Sequence, residues 1–326
     1  MCDEKFARGQ GAIVARPYVL CVTLNPVLDT SYFVDEMRAT YRTEAYRVTH
    51  VAGGKGNNVA RALGILGVPA VSLVALGGMT GRNVAEVWQA DRFEGAPVWV
   101  SGETRLQVTV IDRHGTQRAF YAPPAVFAAD DAARAEETFE RLLPQANAVC
   151  ICGSSPGTAG DPLYGRFIQR ARERGALTML DTYGAALRVG LAAQPDIVKV
   201  NGAEAAGLLG REVRDGAQQR AALDALRDAG ARTAILTLGE QGGLLATQEG
   251  IWRAAPPPVG AINPIGSGDA MSAGIVAGLL RGESARDAFR RGMAAAAANT
   301  LTWDACRFDA LDLDRLLLRV DAQPVP

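Results

Sequence analysis

The segment Asn263-Pro264-Ile265-Gly266-Ser267-Gly268-Asp269-Ala270 places two glycines, a hydroxyl and a carboxylate directly ahead of the apolar run MSAGIVAGLL. Gly266 and Gly268 permit backbone angles that turn successive N–H groups into one concavity. The run that follows reads as a helix, whose first N–H groups are unpaired and whose dipole end is positive. Glycines and helix terminus together build an anion hole, with Asp269 beside it as a candidate base. That combination suits phosphoryl transfer, in which positioning and charge neutralisation dominate. Taken alone, the segment also reads as an ordinary N-cap, since Ser and Asp begin many helices.

A second glycine loop, Ala52-Gly53-Gly54-Lys55-Gly56-Asn57-Asn58, precedes VARALGILG, in which Val59, Leu63 and Leu66 share a helical face. It is not a Walker A loop. Gly56 follows the lysine where a Ser or Thr would hold Mg²⁺, and the GxxxxGK spacing fails. It is not a dinucleotide fingerprint either, because GxGxxG is absent and the loop does not follow the first strand. Lys55, Asn58 and the backbone amides suit a polyhydroxylated or phosphorylated ligand; the plain alternative is a strand-to-helix turn with an exposed lysine.

Weaker signals surround these two loops. Asn25-Pro26 and Asp29 end the first strand run, where open α/β sheets place ligands. Asn201 and Glu204 follow the strand DIVKV and suit either a hydrated metal ion or a helix cap. Arg105 and Arg118 flank a hairpin; an arginine fork matches phosphate, though a solvated strand arginine is commoner. Thr237-Leu238-Gly239 is a strand-end turn.

The elements that must position these residues alternate. Strands are expected over Tyr18–Leu24, Ala70–Leu76, Ala148–Cys152, Leu177–Asp181, Ile197–Val200 and Thr233–Leu238, several of them apolar on successive residues, as in a parallel sheet covered on both faces. Helical patterns cover Asn57–Leu66, Asp130–Leu143, Pro162–Arg174, Gln218–Asp228, Ala270–Leu280 and Ala285–Thr300. This alternation implies βαβ units and an α/β fold. Residues 31–52 and 96–122 instead read as strand after strand, with a turn at His114-Gly115, and are expected to form a small sheet acting as a lid. Residues 1–16 are expected to be a disordered leader, 17–322 the folded domain, and Gln323–Pro326 a frayed tail.

Composition narrows the function classes. The 326 residues carry 34 Lys and Arg against 35 Asp and Glu, a net charge of −1, which excludes the basic footprint of a general nucleic-acid binder. With 48% apolar and 21% charged residues the chain is globular in character. No apolar run reaches the length of a membrane span, and the N-terminus lacks the apolar core of a signal peptide. Five cysteines show no disulfide pattern, and Cys21, Cys150 and Cys152 lie in apolar runs that suit core packing. The expected location is therefore cytoplasmic. The two histidines, His50 and His114, lie at no metal-ligand spacing from a cysteine.

In order, these motifs resemble the ribokinase-like PfkB carbohydrate kinase family, over roughly residues 18–321. GGKGNNVARALGILG is similar to the family's first signature and NPIGSGDAMSAGIVAGLL to its second, about 200 residues apart. TLNPVLD, the lysine in GGKG, GETR at 102–105, GSSPG at 153–157, DTYGAAL at 181–187 and NPIGSGD resemble the 1-phosphofructokinase and tagatose-6-phosphate kinase branch.

The resemblance implies a three-layer α/β/α domain, with a mainly parallel central sheet and a small β-sheet lid that often makes a homodimer. It implies transfer of the γ-phosphoryl of ATP, with Mg²⁺, to a hydroxyl of a ketohexose phosphate such as tagatose 6-phosphate or fructose 1-phosphate. Asp269 would be the catalytic base, and Gly266, Ser267 and Gly268 the anion hole. Asp29, Gly53, Gly54, Lys55 and Asn58 would bind the sugar; Arg105, with Lys55, would hold its phosphate, and Arg118 matches a second family arginine. Lys199, Asn201, Glu204, Thr237, Gly239 and Asn299 would lie on the nucleotide side, with Glu204 reaching Mg²⁺ through water.

The chain departs from the family pattern at three places. Val200 replaces a proline ahead of Asn201, Ser155 replaces an apolar residue in the GSSPG loop, and Asn57 stands where Ile or Leu is usual. Two other readings stay open. A kinase for an unphosphorylated sugar or nucleoside would give the cations Lys55 and Arg105 nothing to neutralise. A non-catalytic sensor would not need the intact Gly-Ser-Gly-Asp.

Overall fold

The computed structural model describes residues 17–37 and 42–325, so the expected leader lies outside the described residues. Its spine is the apolar run β1 (Tyr18–Thr23), buried along its whole length. Leu20 and Val22 enter one core and Val19 and Cys21 the other, which is why successive residues are apolar. β1 pairs in parallel with β4 (Ala70–Leu76) on one side and β8 (Ala146–Cys152) on the other. The sheet then runs outward through β9 (Leu177–Asp181), β10 (Ile197–Asn201) and β11 (Thr233–Thr237), all parallel. Because the chain leaves β1 toward β4 and returns beside it as β8, a crevice opens at the carboxyl ends of β1 and β8, where such sheets bind ligands.

Helices cover both faces. On one lie α1 (Lys55–Ile65), α8 (Ser267–Leu280), α9 (Ala285–Asn299) and α10 (Ala310–Leu317), which supply Leu63, Met271, Phe289 and Leu313. On the other lie α3 (Ala129–Leu142), α4 (Asp161–Glu173), α5 (Gly184–Ala192) and α7 (Gly216–Asp228), whose Phe139, Phe167, Leu187 and Leu223 pack on the sheet. Residues 269–278 of α8 are buried without a break, as expected of a helix that is apolar all round. Cys21, Cys150, Cys152 and Cys306 are buried free thiols.

The second sheet orders β3 (Ala45–Gly53), β2 (Val27–Val34), β6 (Arg105–Asp112) and β7 (Gln117–Tyr121). The expected turn joins β6 to β7, with Asp112 N donating to Thr116 O and Gly115 at a φ of 82°. Trp303 packs edge-on to Phe33 of β2, with ring centroids 5.2 Å apart, and ties this sheet to the main body.

Three expectations need correction. Residues 96–99 do not join the lid: β5 (Glu94–Trp99) pairs in parallel with β4 at the edge of the main sheet. The lid starts earlier than residue 31, at Val27. The C-terminal residues are not frayed: β14 (Ala322–Val325) pairs with β13 (Ile251–Ala254), which with β12 (Gly243–Ala246) extends the sheet by antiparallel strands. These last strands are four residues each, too short to show a period in the sequence.

Candidate active site

The two glycine loops meet above the crevice. Gly266 adopts a left-handed φ of 84°, and a Cβ there would lie 2.7 Å from that of Ala305, so glycine is required on both counts. Ser267 N donates back to Pro264 O, and Ala270 N to Gly266 O. The amides of Gly268 and Asp269 therefore precede the first closed turn of α8, at its positive end. Asn299 braces the loop from behind. Its Nδ2 donates to Ile265 O at 2.9 Å and Ser267 Oγ at 3.1 Å, while Cys306 N donates to its Oδ1 at 2.7 Å.

Asp269 is buried where the loops converge. Asn58 Nδ2, from α1, donates to its Oδ2 at 2.8 Å. Burial raises its pKa to about 6, and the nearby Asp181 carboxylate pushes the same way against the pull of Lys55, the Asn58 amide and Lys199. A carboxylate so placed is ionised near neutral pH yet basic enough to accept a proton.

Asp181 ends β9 fully buried between two cations. Lys55 Nζ lies 2.8 Å from its Oδ1 and Lys199 Nζ 2.6 Å from its Oδ2. Burial opposes its charge, but the two lysines outweigh burial and hold the carboxyl well below its ordinary value. Lys55 also reaches Glu204 Oε1 at 3.1 Å. Burial disfavours its charge too, and Asp181, Glu204 and Asp269 overcome this to raise its pKa. Glu204 closes a capping box with Asn201 at the start of α6 (Gly202–Leu209). The cap and the site are thus one structure, and Glu204 serves both.

The inner face of the lid carries Asp29 and Arg105. Gly53 has no side chain because a Cβ would lie 2.1 Å from Asp29 Oδ2. Asp29 Oδ1 is buried and accepts no hydrogen bond among the described residues. Burial raises its pKa to about 7, with Asp269 adding to the rise and Arg61 and Arg105 opposing it. Arg105 donates from Nη2 to Asn25 O at 3.2 Å and from Nε to Pro26 O at 3.4 Å, which sets its guanidinium at the rim beside β1.

Arg118 is a correction. It pairs with Val110, whereas Arg105 and Asp29 lie on the alternate set of residues, so Arg118 is exposed on the outer face of the lid. One residue of register reverses the face of a strand. Asn299 sits under the anion loop as a brace. Thr237 donates weakly to Val200 O at 3.4 Å, and Gly239 turns the chain just past β11 with a φ of 62°.

The chain matches the pfkB family carbohydrate kinase description over residues 21–307. It belongs to that family. Among solved structures it is similar to phosphofructokinase-2 from Escherichia coli in complex with potassium, at 27% identity and a TM-score of 0.86, covering 93% of this chain and 99% of that one. The same enzyme in complex with fructose-6-phosphate matches at 27% identity and a TM-score of 0.83, with the same coverage. A possible 1-phosphofructokinase from Thermotoga maritima shares the fold, at 24% identity, a TM-score of 0.83, and 95% and 100% coverage. This pfkB kinase is therefore an ATP-dependent carbohydrate kinase with the ribokinase-like three-layer fold.

Sequence reading missed Asp181, Arg61 and Asp91 in this pfkB kinase. Asp181 had a signal, since it ends a strand at the carboxyl side of the sheet. Arg61 had little: on α1 it shares a face with Asn57, Asn58 and Gly64, a polar set that reads as facing solvent although the fold buries Asn57, Asn58 and Arg61. Asp91 had none, because its place beside Arg61 is set by the tertiary fold.

Proposed function

We propose that this kinase transfers the γ-phosphoryl of ATP to a hydroxyl of a ketohexose phosphate, tagatose 6-phosphate or fructose 1-phosphate, giving a ketohexose bisphosphate. The observation that carries the reading is Asp269, buried at the mouth of the anion loop with its pKa near the physiological range and its geometry fixed by the opposite loop. Asp269 accepts the proton of the attacking hydroxyl. The Gly266–Gly268 loop and the α8 terminus hold the transferring phosphoryl oxygens. Asp29, with an unused buried oxygen, takes a sugar hydroxyl beside Gly53, Gly54 and Asn58. Arg105 binds the phosphate already on the sugar. Lys55 spends two of its three ammonium protons on Asp181 and Glu204 and keeps one for a phosphate oxygen in the cleft.

Lys199, Asn201, Thr237 and Gly239 line the nucleotide side. No group of three or more His, Cys, Asp or Glu residues able to hold a metal exists among the described residues. Glu204 is a single, largely buried carboxylate with spare lone pairs, a donor set that suits a hydrated Mg²⁺ carried by the ATP phosphates and held through water. When bound, that ion neutralises charge on the phosphates.

Release of ADP from ATP across a sugar panel tests the reading. Turnover is expected with tagatose 6-phosphate or fructose 1-phosphate and not with free fructose or ribose. Arg105→Ala should raise KM for the sugar phosphate about tenfold or more and leave KM for ATP within about twofold, as loss of a charge-assisted phosphate contact would do. Equal effects on both substrates would remove Arg105 from the sugar side.

The outer lid face exposes Tyr32, Val48, Leu106 and Phe120, an apolar patch on a sheet whose other face serves the site. A homodimer through this patch is the expected state in solution. A solution mass of one chain would refute it.

A further inference from the structure

Arg61 is 2% exposed, and its partners tie the first glycine loop to the residue behind the second and to Asp91. Its Nη1 donates to Asn58 Oδ1 at 2.8 Å and to Ala305 O at 3.3 Å. Its Nη2 donates to Ala52 O at 2.7 Å and Asp91 Oδ2 at 2.9 Å. Its Nε lies 2.9 Å from Asp91 Oδ1, off the hydrogen-bonding line. The Asp91 side chain, also 2% exposed, is held at the same Oδ1 by Arg307 Nη2 at 3.1 Å. One guanidinium thus grips the carbonyl before the first glycine loop, the residue backing Gly266 of the second, and the amide that touches Asp269.

We propose that Arg61, anchored by Asp91, is a positioning residue for phosphoryl transfer: by occupying the oxygen of the Asn58 amide, it fixes the NH₂ end toward Asp269. An arginine has donors only, so it must face Asn58 Oδ1, and Nδ2 is left for the carboxylate. Without Arg61 the amide can flip and set its oxygen against Asp269. The carboxylate would then swing from its line to the acceptor hydroxyl, and small misplacement costs large factors in rate. Loss of the Asn58 bond also raises the Asp269 pKa, because that bond favours the charged form. The other groups bearing on Asp269 are Asp29 from the lid, Lys55 from α1, Asp181 from β9, Lys199 from β10, Cys152 from β8 and Cys306 behind the loop; Arg61 itself acts on Asp29 and Cys306 through its positive charge, which a lysine at the same position keeps.

The proposal rests on Asp269 as the base, and the test separates the two. Arg61→Lys keeps a cation beside Asp91 but cannot span Asn58, Ala52 and Ala305. It should lower kcat about tenfold or more, leave both KM values within about twofold, and move the acid limb of the kcat/KM–pH profile to higher pH. Asn58→Ala should lower kcat and move the acid limb in the same direction while also raising KM for the sugar beside it, and the kcat of the double variant should be no lower than that of Asn58→Ala alone. Factors that multiply in the double variant, or an unchanged acid limb in Arg61→Lys, would overturn the relay. If Arg61→Lys fails to fold, Asp91→Asn loosens the same arginine and should shift the limb in the same direction; no shift there overturns the relay as well. Asp269→Asn is run beside them. Loss of turnover in Asp269→Asn with a normal profile in Arg61→Lys refutes the relay alone, whereas turnover in Asp269→Asn refutes the base.

Discussion

Asp269→Asn is expected to lower kcat by about 10³-fold or more while raising the stability of the protein. Both effects have one cause. The carboxylate is buried beside Asp181, and this environment lifts its pKa from an ordinary 3.8 to about 6. A raised folded pKa means that stability is greatest below the unfolded value. It falls as pH rises from about 3.8 to about 6, and the loss persists above. At neutral pH the ionised carboxylate therefore costs on the order of 2–3 kcal/mol, which the neutral amide avoids. Asparagine has the same shape, and its oxygen still accepts from Asn58 Nδ2, so the fold has no reason to change. The acceptor hydroxyl, however, loses its proton acceptor, and KM for ATP should hold within about twofold. In the parent, kcat/KM should fall on the acid side with a pKa of about 6. Retained turnover in Asp269→Asn, or a melting temperature below that of the parent, would contradict the assignment.

That aspartate was visible in the sequence because its signal is local. Glycine, glycine and carboxylate at the start of an apolar helix are consecutive residues, and the backbone geometry they require follows from the residues themselves. Lys55 and Asn58 were legible for the same reason. What they touch was not. The sequence marks Lys55 as a cation for the sugar phosphate, yet in the fold it bridges Asp181 and Glu204, residues 126 and 149 positions away. Arg118 shows the limit from the other side. A strand turns a side chain over with each residue, so its type and approximate position could not say which face of the lid it occupies.

The fold was legible to the same depth. The six parallel strands read from apolar runs lie side by side in the main sheet, because burial on both faces writes an unbroken apolar signature. The edges are harder to read. β12, β13 and β14 are four-residue antiparallel strands that neither alternation nor a long apolar run marks, while residues 96–99 of β5 read as strand but belong to the main sheet and not to the lid. Helix α5 is short and starts on glycine, with no side-chain cap to announce it, whereas α6 shows only its cap, Asn201 and Glu204, because its eight residues are too few to display a period.

Asp181→Ala is expected to be the most destabilising single change in the site. Lys199 is 4% exposed, and Asp181 is its ion-pair partner at 2.6 Å. Removing the carboxylate leaves that ammonium buried and uncompensated, and takes from Lys55 the nearer of its two anions. Breaking a buried pair from one side costs about 3–5 kcal/mol. For a chain of this size that is a fall in Tm of roughly 10 °C. Because the two lysines hold the folded pKa of Asp181 well below 3.8, the stability it supplies is present above that value and drains as pH falls through its folded pKa. The Tm difference between parent and variant should therefore be full at pH 7 and shrink only in strong acid. Asp181→Ala/Lys199→Met, which removes both charges, should recover much of the loss. The activity of the single variant should fall about tenfold or more, since Lys55 and Lys199 lose the anion that sets their spacing at the cleft. Its acid limb should move the opposite way from that of Arg61→Lys, to lower pH, because the carboxylate that opposed ionisation of Asp269 is gone. An unchanged Tm would mean that Lys199 finds another partner, and an acid limb moved upward would contradict the arrangement of charges around Asp269.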